Sequence, residues 1–248
     1  MEVIGIIPAR YSSTRFEGKV LADIMGKPMI QHVWERSKKA LILDDIFIAC
    51  DDERVEKVAK EFGAKVVLTA KAHASGSDRI CEVINPLDVK VVVNIQGDEP
   101  LIHPTMIESV ASVLLKDAKS PVATIMQKIK DPSLIDDPHT VKVVVDKNNF
   151  ALYFSRAAIP HRAANSEIAH PVYYKHIGLY GYTKDFLFTY KNLPISNLER
   201  IEKLEQLRIL EEGFRIRVLE TKYDTIGVDT PEDLERVRAY FKEGKGAL

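Results

Sequence analysis

The first half of the chain alternates short apolar runs with amphipathic segments, and this alternation restricts the possible folds more than any other feature of the sequence. Runs of strand length occupy residues 3–7, 45–50, 65–68 and 90–95, and helical patterns occupy 28–40, 52–62, 80–84 and 104–116. The fourth run consists mostly of Val and Ile, which is typical of a central parallel strand buried on both faces. The pattern therefore predicts an α/β fold on a doubly wound, mostly parallel sheet.

The alternation stops near residue 121. Strand-like runs follow at 122–126, 141–145, 151–154 and 173–182, with few helical patterns between them and a polar loop at 159–171. A further strand is predicted at 214–219. We therefore expect residues 1–120 and 214–248 to form the α/β core, and residues 121–213 to form a mixed-sheet elaboration beside a cleft.

Two helix starts are marked by capping residues. Ser196 and Glu199 fit a capping box, which predicts a helix from there to Leu210 that ends at Gly213. Thr230 and the residues after it form a second start signature for the last helix, which we expect to reach about residue 241.

The overall composition excludes several classes of partner. The 248 residues carry a net charge of −1, so bulk attraction to nucleic acid or to an anionic membrane is absent. No apolar run approaches the roughly 20 residues of a membrane span. Cys50 and Cys81 are too few for a disulfide scaffold, and no signal-peptide pattern precedes the first strand. We therefore expect a cytoplasmic protein that binds neither nucleic acid nor a membrane.

The loop after the first apolar run carries chemistry suited to phosphate. Pro8 ends the run, because proline has no N–H for a ladder. The loop contains three cations, three hydroxyl groups and a glycine: Arg10, Arg15, Lys19, Ser12, Ser13, Thr14 and Gly18. Arginine offers a planar fork to phosphate oxygens, and lysine adds a point charge. The loop therefore predicts a polyphosphate cradle at the carboxyl end of its strand. The alternative is a solvated basic loop.

Two carboxylates could hold a divalent cation. Asp98 follows the Val-rich run beside Gly97, and Asp229 precedes the last helix. Mg²⁺ is usually held by one or two carboxylates together with phosphate oxygens, so both positions suit it. For Asp229 the alternative is a helix-entry role next to Thr230.

Other polar residues could bind an organic ligand. In the run 173–182, alternation places His176, Gly178 and Tyr180 on one face, although a solvent-facing histidine is the alternative. Arg156 could bind a carboxylate or lie on the surface. Further candidates are Glu202, Glu205 and Gln206, for which a solvated helix face is the default, and the turn 73–79, for which the alternative is a helix cap by Ser77.

Six segments together carry a family resemblance. They are residues 8–19, 73–79, 94–100, 151–156, 175–180 and 204–208. With them the chain resembles the 3-deoxy-D-manno-octulosonate (Kdo) cytidylyltransferases from its first strand to its last helix. The first loop alone indicates only the wider superfamily of nucleotide-sugar enzymes. Gln96-Gly-Asp-Glu-Pro100 and His176-Ile-Gly-Leu-Tyr180 together are much more specific. The chain departs from the family at Glu17, where proline is frequent, and at Ser77, where threonine is common.

The resemblance implies an activity and an assembly. CTP and Kdo would give CMP-Kdo and pyrophosphate with Mg²⁺ as cofactor, for lipopolysaccharide synthesis, and the enzyme would be a homodimer. The core would be Rossmann-like, and residues 121–213 would serve sugar binding and dimerisation.

The resemblance also implies the roles of individual residues. The catalytic set would be Arg10, Arg15, Lys19 and Asp98, with Asp98 and Asp229 as metal ligands. Contacts to the nucleotide would come from Ala9, Ser12, Ser13, His73, Ser75, Gly76 and Arg79. Contacts to the sugar would come from Gln96, Arg156, His176, Tyr180, Glu205 and Gln206.

Two other functions compete with this interpretation. One is a cytidylyltransferase for another acidic sugar such as a sialic acid, against which the stretch 96–100 argues. The other is a catalytically silent nucleotide-binding module that regulates a partner, against which the candidate metal acids and the cradle cations argue.

Overall fold

The computed structural model describes residues 1–12, 16–73, 76–117, 120–168 and 170–246. Its strands are β1 (Val3–Ala9), β2 (Asp23–Ile24), β3 (Lys27–Pro28), β4 (Asp45–Cys50), β5 (Lys65–Leu68), β6 (Val91–Asn94), β7 (Val122–Lys128), β8 (Lys142–Val145), β9 (Ala151–Ser155), β10 (Tyr174–Thr183) and β11 (Ile216–Thr221). Its helices are α1 (Met29–Ser37), α2 (Glu53–Glu61), α3 (Gly76–Ile84), α4 (Pro104–Lys116), α5 (Ser133–Asp136), α6 (Lys184–Asn192), α7 (Asn197–Glu202), α8 (Gln206–Glu211) and α9 (Pro231–Lys242).

The central sheet is mostly parallel, as predicted. Its strand order is β11-β7-β10-β6-β1-β4-β5. Parallel pairs join β1 to β4 and β6, β4 to β5, and β7 to β11. Strand β10 runs antiparallel between β6 and β7, and β8 and β9 branch from it. The predicted α/β fold class is therefore confirmed, including its antiparallel part.

Helices cover both faces of this sheet, which makes it doubly wound. Helices α1, α2 and α4 pack on one face, and α3, α6 and α8 pack on the other. The buried side chains include Ile30, Val55 and Ile107 on the first face and Ile80, Leu187 and Leu207 on the second. Helix α9 packs separately, with Leu234 and Val237 against Ile24. The helices cover the two faces of the sheet but not its edges. In sheets of this kind, ligands bind at the edge formed by the carboxyl ends of the parallel strands.

Two predictions of local structure are wrong. The helix predicted from Ser196 to Leu210 is broken into α7 and α8, because Lys203 adopts a left-handed conformation with φ of 56°. Tertiary contacts stabilise this break, among them an ion pair of 2.7 Å between Arg208 and Glu199. Helix α6 was not predicted, because its aromatic residues also suit a strand. The predicted capping box at Ser196 and the predicted helix start at Thr230 are confirmed, and Thr230 also forms a capping box, with Asp233.

Residues 121–213 share the central sheet with the rest of the chain, since β7 and β10 lie inside it. The division between a core and an elaboration stays a prediction. None of the described helices is long and apolar enough to cross a membrane.

Candidate active site

The loops after β1 and β6 meet at the carboxyl edge of the sheet. A Cβ atom on Gly97 would lie 2.9 Å from the main-chain oxygen of Pro8, so only glycine allows the two loops to approach so closely. Between them lies a cavity of about 370 Å³, which we call the charged cleft. It is lined by Pro8, Arg10, Ser12, Lys19, Val20, Gly76, Gln96, Gly97 and Asp98.

Lys19 connects the charged cleft with the segment before α9. Its Nζ donates to Asp98 Oδ2 at 2.6 Å, to Asp229 Oδ1 at 3.0 Å and to the Val228 carbonyl oxygen at 3.1 Å. Burial disfavours the lysine charge, but attraction to Asp98 and Asp229 outweighs it and raises the pKa of Lys19. Residues far apart in the sequence therefore converge here as an ion-paired cluster.

The pair of carboxylates fits a divalent cation in its donor chemistry. Asp98 and Asp229 both point an oxygen at one position, where the Lys19 ammonium now lies. Hard carboxylate oxygens are what Mg²⁺ prefers, and phosphate oxygens complete its shell in nucleotide sites. Among the residues that the structure describes, no group of three or more histidine, cysteine or acidic side chains forms a metal cage. A cation here would therefore need oxygens from the substrate.

The remaining cradle residues are placed unequally. Arg10 lines the charged cleft and donates from Nη2 to the His73 carbonyl oxygen at 3.1 Å. Ser12 lines the same cleft. Ala9 ends β1 with its methyl group in the core, so only its main chain can serve a ligand. The predicted residues Arg15 and Ser13, and Ser75 of the turn, lie outside the described part of the chain.

The described residues around the turn before α3 differ in whether they line the charged cleft. Gly76 lines the charged cleft, and the ring of His73 pairs with Glu82. Arg79 is fully buried, where its Nη2 donates to Asp51 Oδ2 at 2.8 Å and its Nη1 to Thr69. The guanidinium therefore ties the first turn of α3 to the residues that follow β4 and β5, and it does not line the cleft.

A second cavity, of about 280 Å³, opens beside the charged cleft, and Pro8, Gly76 and Gln96 line both. We call it the aromatic cavity. Its other lining residues are Ser77, Asn94, His176, Gly178, Tyr180, Tyr182, Tyr190, Lys203, Leu204, Glu205 and Gln206. The predicted face of His176, Gly178 and Tyr180 is confirmed, since all three line this cavity while Ile177 and Leu179 pack in the opposite core.

His176 is an uncharged hydrogen-bonding group in this cavity. Burial lowers its pKa to about 3, so the imidazole is neutral at physiological pH. The Thr124 hydroxyl lies 3.0 Å from His176 Nε2 and 2.8 Å from the Leu179 carbonyl oxygen. The Thr124 hydroxyl therefore ties the His176 ring to the main chain of β10.

Sequence reasoning missed several residues of the aromatic cavity. Tyr182 continues the period of two from Tyr180, and this signal could have found it. Asn94 ends β6 opposite Tyr180, so the cross-strand register was needed to find it. Tyr190 comes from the unpredicted helix α6. Within the described structure the buried Asn94 Oδ1 has no hydrogen-bond partner, which is typical of an atom that a polar ligand satisfies.

The segment between α7 and α8 supplies the charged part of the aromatic cavity. Glu205 and Gln206 both line it, and their predicted contact with a sugar stays a prediction. Desolvation by the cavity walls and repulsion from Glu199 raise the pKa of Glu205.

Arg156 is not among the residues that line either cavity. Its Nε donates to the Glu202 carbonyl oxygen and its Nη1 to the Pro138 carbonyl oxygen, both at 2.9 Å. The structure therefore does not bring it together with His176 and Tyr180.

Comparison with known proteins adds independent information. The family model for cytidylyltransferases matches residues 4–218. The chain belongs to the cytidylyltransferase family. The resemblance seen in its motifs is confirmed by relatives with the name 3-deoxy-manno-octulosonate cytidylyltransferase. One, from Solibacter usitatus (strain Ellin6076), is 52% identical over 97% of this chain and 95% of its own. Another, from Syntrophotalea carbinolica (strain DSM 2380), is 49% identical over 98% of this chain and 99% of its own.

A solved structure agrees with these relatives. It is a CMP:2-keto-3-deoxy-manno-octonic acid synthetase complexed with CTP, which superposes on this cytidylyltransferase with a TM-score of 0.92. The two are 43% identical, and the match covers 98% of this chain and 100% of that one.

Proposed function

We propose that this cytidylyltransferase transfers CMP from CTP to the anomeric hydroxyl of Kdo, releasing pyrophosphate. The observation that carries the proposal is the continuity of the two cavities, which share Pro8, Gly76 and Gln96. A charged nucleotide in one cavity and a polyhydroxylated sugar in the other would meet at this shared wall. The relatives named above and the CTP complex of the solved structure support the same pair of substrates.

The charged cleft would hold the triphosphate. Arg10 and Lys19 carry the positive charge on its lining, and charge stabilisation of the departing pyrophosphate is the main electrostatic demand of the reaction. Arg15 and Ser13 would assist from the same loop. The turn before α3, with His73, Ser75 and Gly76, would contact the cytosine, and Arg79 would brace that turn.

The carboxylates of Asp98 and Asp229 would hold Mg²⁺. The ion, when bound, neutralises phosphate oxygens and lowers the pKa of a hydroxyl that it contacts. Lys19, whose Nζ bonds each of the two carboxylates, would keep them together while the ion is absent.

The aromatic cavity would hold Kdo. Gln96 is anchored by its Nε2 to the Gly178 carbonyl oxygen at 3.3 Å, which places its amide at the junction of the two cavities. His176, Tyr180 and Gln206 offer neutral polar groups for sugar hydroxyls. In-line attack on the α-phosphorus requires that the anomeric hydroxyl lie at this junction, so positioning supplies much of the rate.

The protein would also act as a cytoplasmic homodimer. Large apolar side chains are exposed within residues 121–213, including Leu152 at 62%, Ile195 at 55% and Ile201 at 76%. A second copy of the chain would cover such a surface. Sedimentation velocity of the wild type and a Leu152→Glu variant would test this, and an unchanged monomer in both would contradict it.

Pyrophosphate release tests the proposed function directly. The enzyme is incubated with CTP and Mg²⁺ in the presence of Kdo, of a sialic acid or of no sugar. We expect pyrophosphate release only in the incubation that contains Kdo. Release with the sialic acid instead would favour the rival sugar, and no release with either would favour a nucleotide-binding module.

A further inference from the structure

The wall of the aromatic cavity formed by residues 203–206 is an interruption between two short helices. Lys203 adopts a left-handed conformation that non-glycine residues rarely take, with φ of 56°. Its N–H donates to the Glu199 carbonyl oxygen at 2.8 Å, which ends α7, while the carbonyl oxygens of Leu204 and Glu205 accept from the N–H groups of Leu207 and Arg208 at 3.1 and 3.2 Å. Because the ion pair of Arg208 with Glu199 joins α8 to α7, the contacts that hold these two helices against the rest of the fold set the position of this wall.

Glu202 makes the connection from this wall to the end of β9. Its Oε1 accepts from the Ser155 hydroxyl at 2.6 Å, and its Oε2 accepts from the Arg156 main-chain N–H at 3.0 Å. In return, its own carbonyl oxygen accepts from Arg156 Nε. Glu202 and Arg156 thus bond each other in both directions, and hydrogen bonds to a charged carboxylate are stronger than neutral ones.

Lys142 fixes the other side of the same junction. Its side chain is completely buried, and its Nζ donates to the carbonyl oxygens of Asp137 at 2.8 Å, Thr140 at 2.5 Å and Arg156 at 2.6 Å. The main chain of Arg156 is therefore held by a carboxylate on its N–H and by an ammonium on its carbonyl oxygen. Neither Glu202 nor Lys142 lines the aromatic cavity.

We propose that Glu202 is a positioning residue for the acceptor sugar, which it serves by clamping residues 203–206 onto the end of β9, with Lys142 holding the far side of the clamp. The inference rests on the proposed function, because it concerns the sugar of that reaction. It explains how Glu205 and Gln206 keep a fixed position without a continuous helix. It also gives Arg156 a role, because Arg156 is the residue at the end of β9 to which Glu202 is bonded.

The test compares Glu202→Ala, Glu202→Gln, Ser155→Ala and the control Glu212→Ala. Glu212 is a matched control because it is an exposed glutamate at the end of α8. For each variant, KM is measured for Kdo and for CTP, together with kcat and the melting temperature. Hydrogen exchange is measured on peptides that cover residues 203–206.

We expect Glu202→Ala to raise KM for Kdo by about tenfold or more, as the loss of a charged hydrogen bond would. KM for CTP should change by less than about twofold, since the charged cleft is untouched. Glu202→Gln and Ser155→Ala should give smaller effects in the same direction, because each keeps part of the clamp. Exchange should accelerate at residues 203–206 in Glu202→Ala and should remain unchanged in Glu212→Ala.

A purely structural role would lower the melting temperature and weaken both substrates equally, which would overturn the inference. An unchanged KM for Kdo in a folded Glu202→Ala variant would also overturn it and would leave the proposed function intact. A wild type that releases no pyrophosphate with Kdo would overturn both.

Discussion

The two cavities of this cytidylyltransferase lie side by side but differ in their chemistry. The charged cleft is organised by ion pairs, with Lys19 between Asp98 and Asp229. The aromatic cavity is organised by stacked rings, in which Tyr180, Tyr182 and Tyr190 follow one another with centroids 5.8 and 5.9 Å apart. Its histidine is neutral, and its charged residues are confined to the segment between α7 and α8.

This difference indicates how one enzyme can handle two anionic substrates. A triphosphate is stabilised by nearby positive charges, and this stabilisation does not depend on the identity of the base. A sugar is distinguished by neutral groups that are left unpaired when the wrong hydroxyl pattern enters. Changes in the charged cleft should therefore affect the chemical step or CTP, whereas changes in the aromatic cavity should affect the sugar.

The largest effect is expected from the two carboxylates that pair with Lys19. Asp98→Asn and Asp229→Asn should each reduce kcat by about 10²-fold or more, the scale for losing one preorganised electrostatic group. Steady-state pyrophosphate release at saturating substrates measures this, and Asp88→Asn, at an exposed aspartate, is the control. Near wild-type kcat at ordinary Mg²⁺ concentration in either variant would remove that residue from the metal site.

The next largest effect is expected for the cations. Lys19→Ala and Arg10→Ala should each weaken CTP use by roughly 1.5–3 kcal/mol, the range for hydrogen bonds to charged groups. The exposed Lys57→Ala serves as the control for removal of one positive charge. Equal values of kcat/KM for CTP in all three variants would show that the loop is not a cradle.

A smaller and more selective effect is expected in the aromatic cavity. His176→Ala removes a neutral hydrogen-bonding group and should raise KM for Kdo roughly tenfold, the upper range for one neutral hydrogen bond. Because His176 does not line the charged cleft, KM for CTP should stay within about twofold. A parallel loss of CTP affinity would mean that the two cavities are not separate in function.

The smallest effect is expected in the dependence of stability on pH. The pKa of His176 is lowered to about 3 in the folded protein, whereas an unfolded histidine titrates near 6.5. The unfolded state therefore binds more protons between these values, so this histidine's contribution to stability is complete above about pH 6.5 and is lost as the pH falls. The loss is at most about 1.4 kcal/mol per pH unit.

Urea unfolding at pH 7, 6 and 5 measures this contribution. The free energy of unfolding should fall more steeply towards pH 5 in the wild type than in His176→Gln, which cannot titrate at that position. Identical slopes would show that His176 is not a buried, neutral group in the folded protein.

The sequence was sufficient for much of the fold but for less of the site. Val and Ile runs and helix caps mark local structure, so the parallel sheet and the capped starts of α7 and α9 were predictable. The break at Lys203 was not, because the residues around it make tertiary contacts, such as that of Glu202 with Ser155, which lies 47 residues earlier in the chain. Arg156 was predicted as a sugar ligand because its tertiary contacts cannot be read from the sequence. In the structure its guanidinium donates to the main-chain oxygens of Glu202 and Pro138. Asn94 was missed because its importance depends on the register with Tyr180.

The division of labour between the two cavities is tested most directly by calorimetric titration of CTP in the absence of sugar. The titration compares the wild type with Lys19→Ala and His176→Ala at the same Mg²⁺ concentration. We predict that His176→Ala binds CTP with wild-type affinity, and that Lys19→Ala loses at least about tenfold in affinity. Equal loss of CTP affinity in both variants would contradict the separation of a charged cleft for the nucleotide from an aromatic cavity for the sugar.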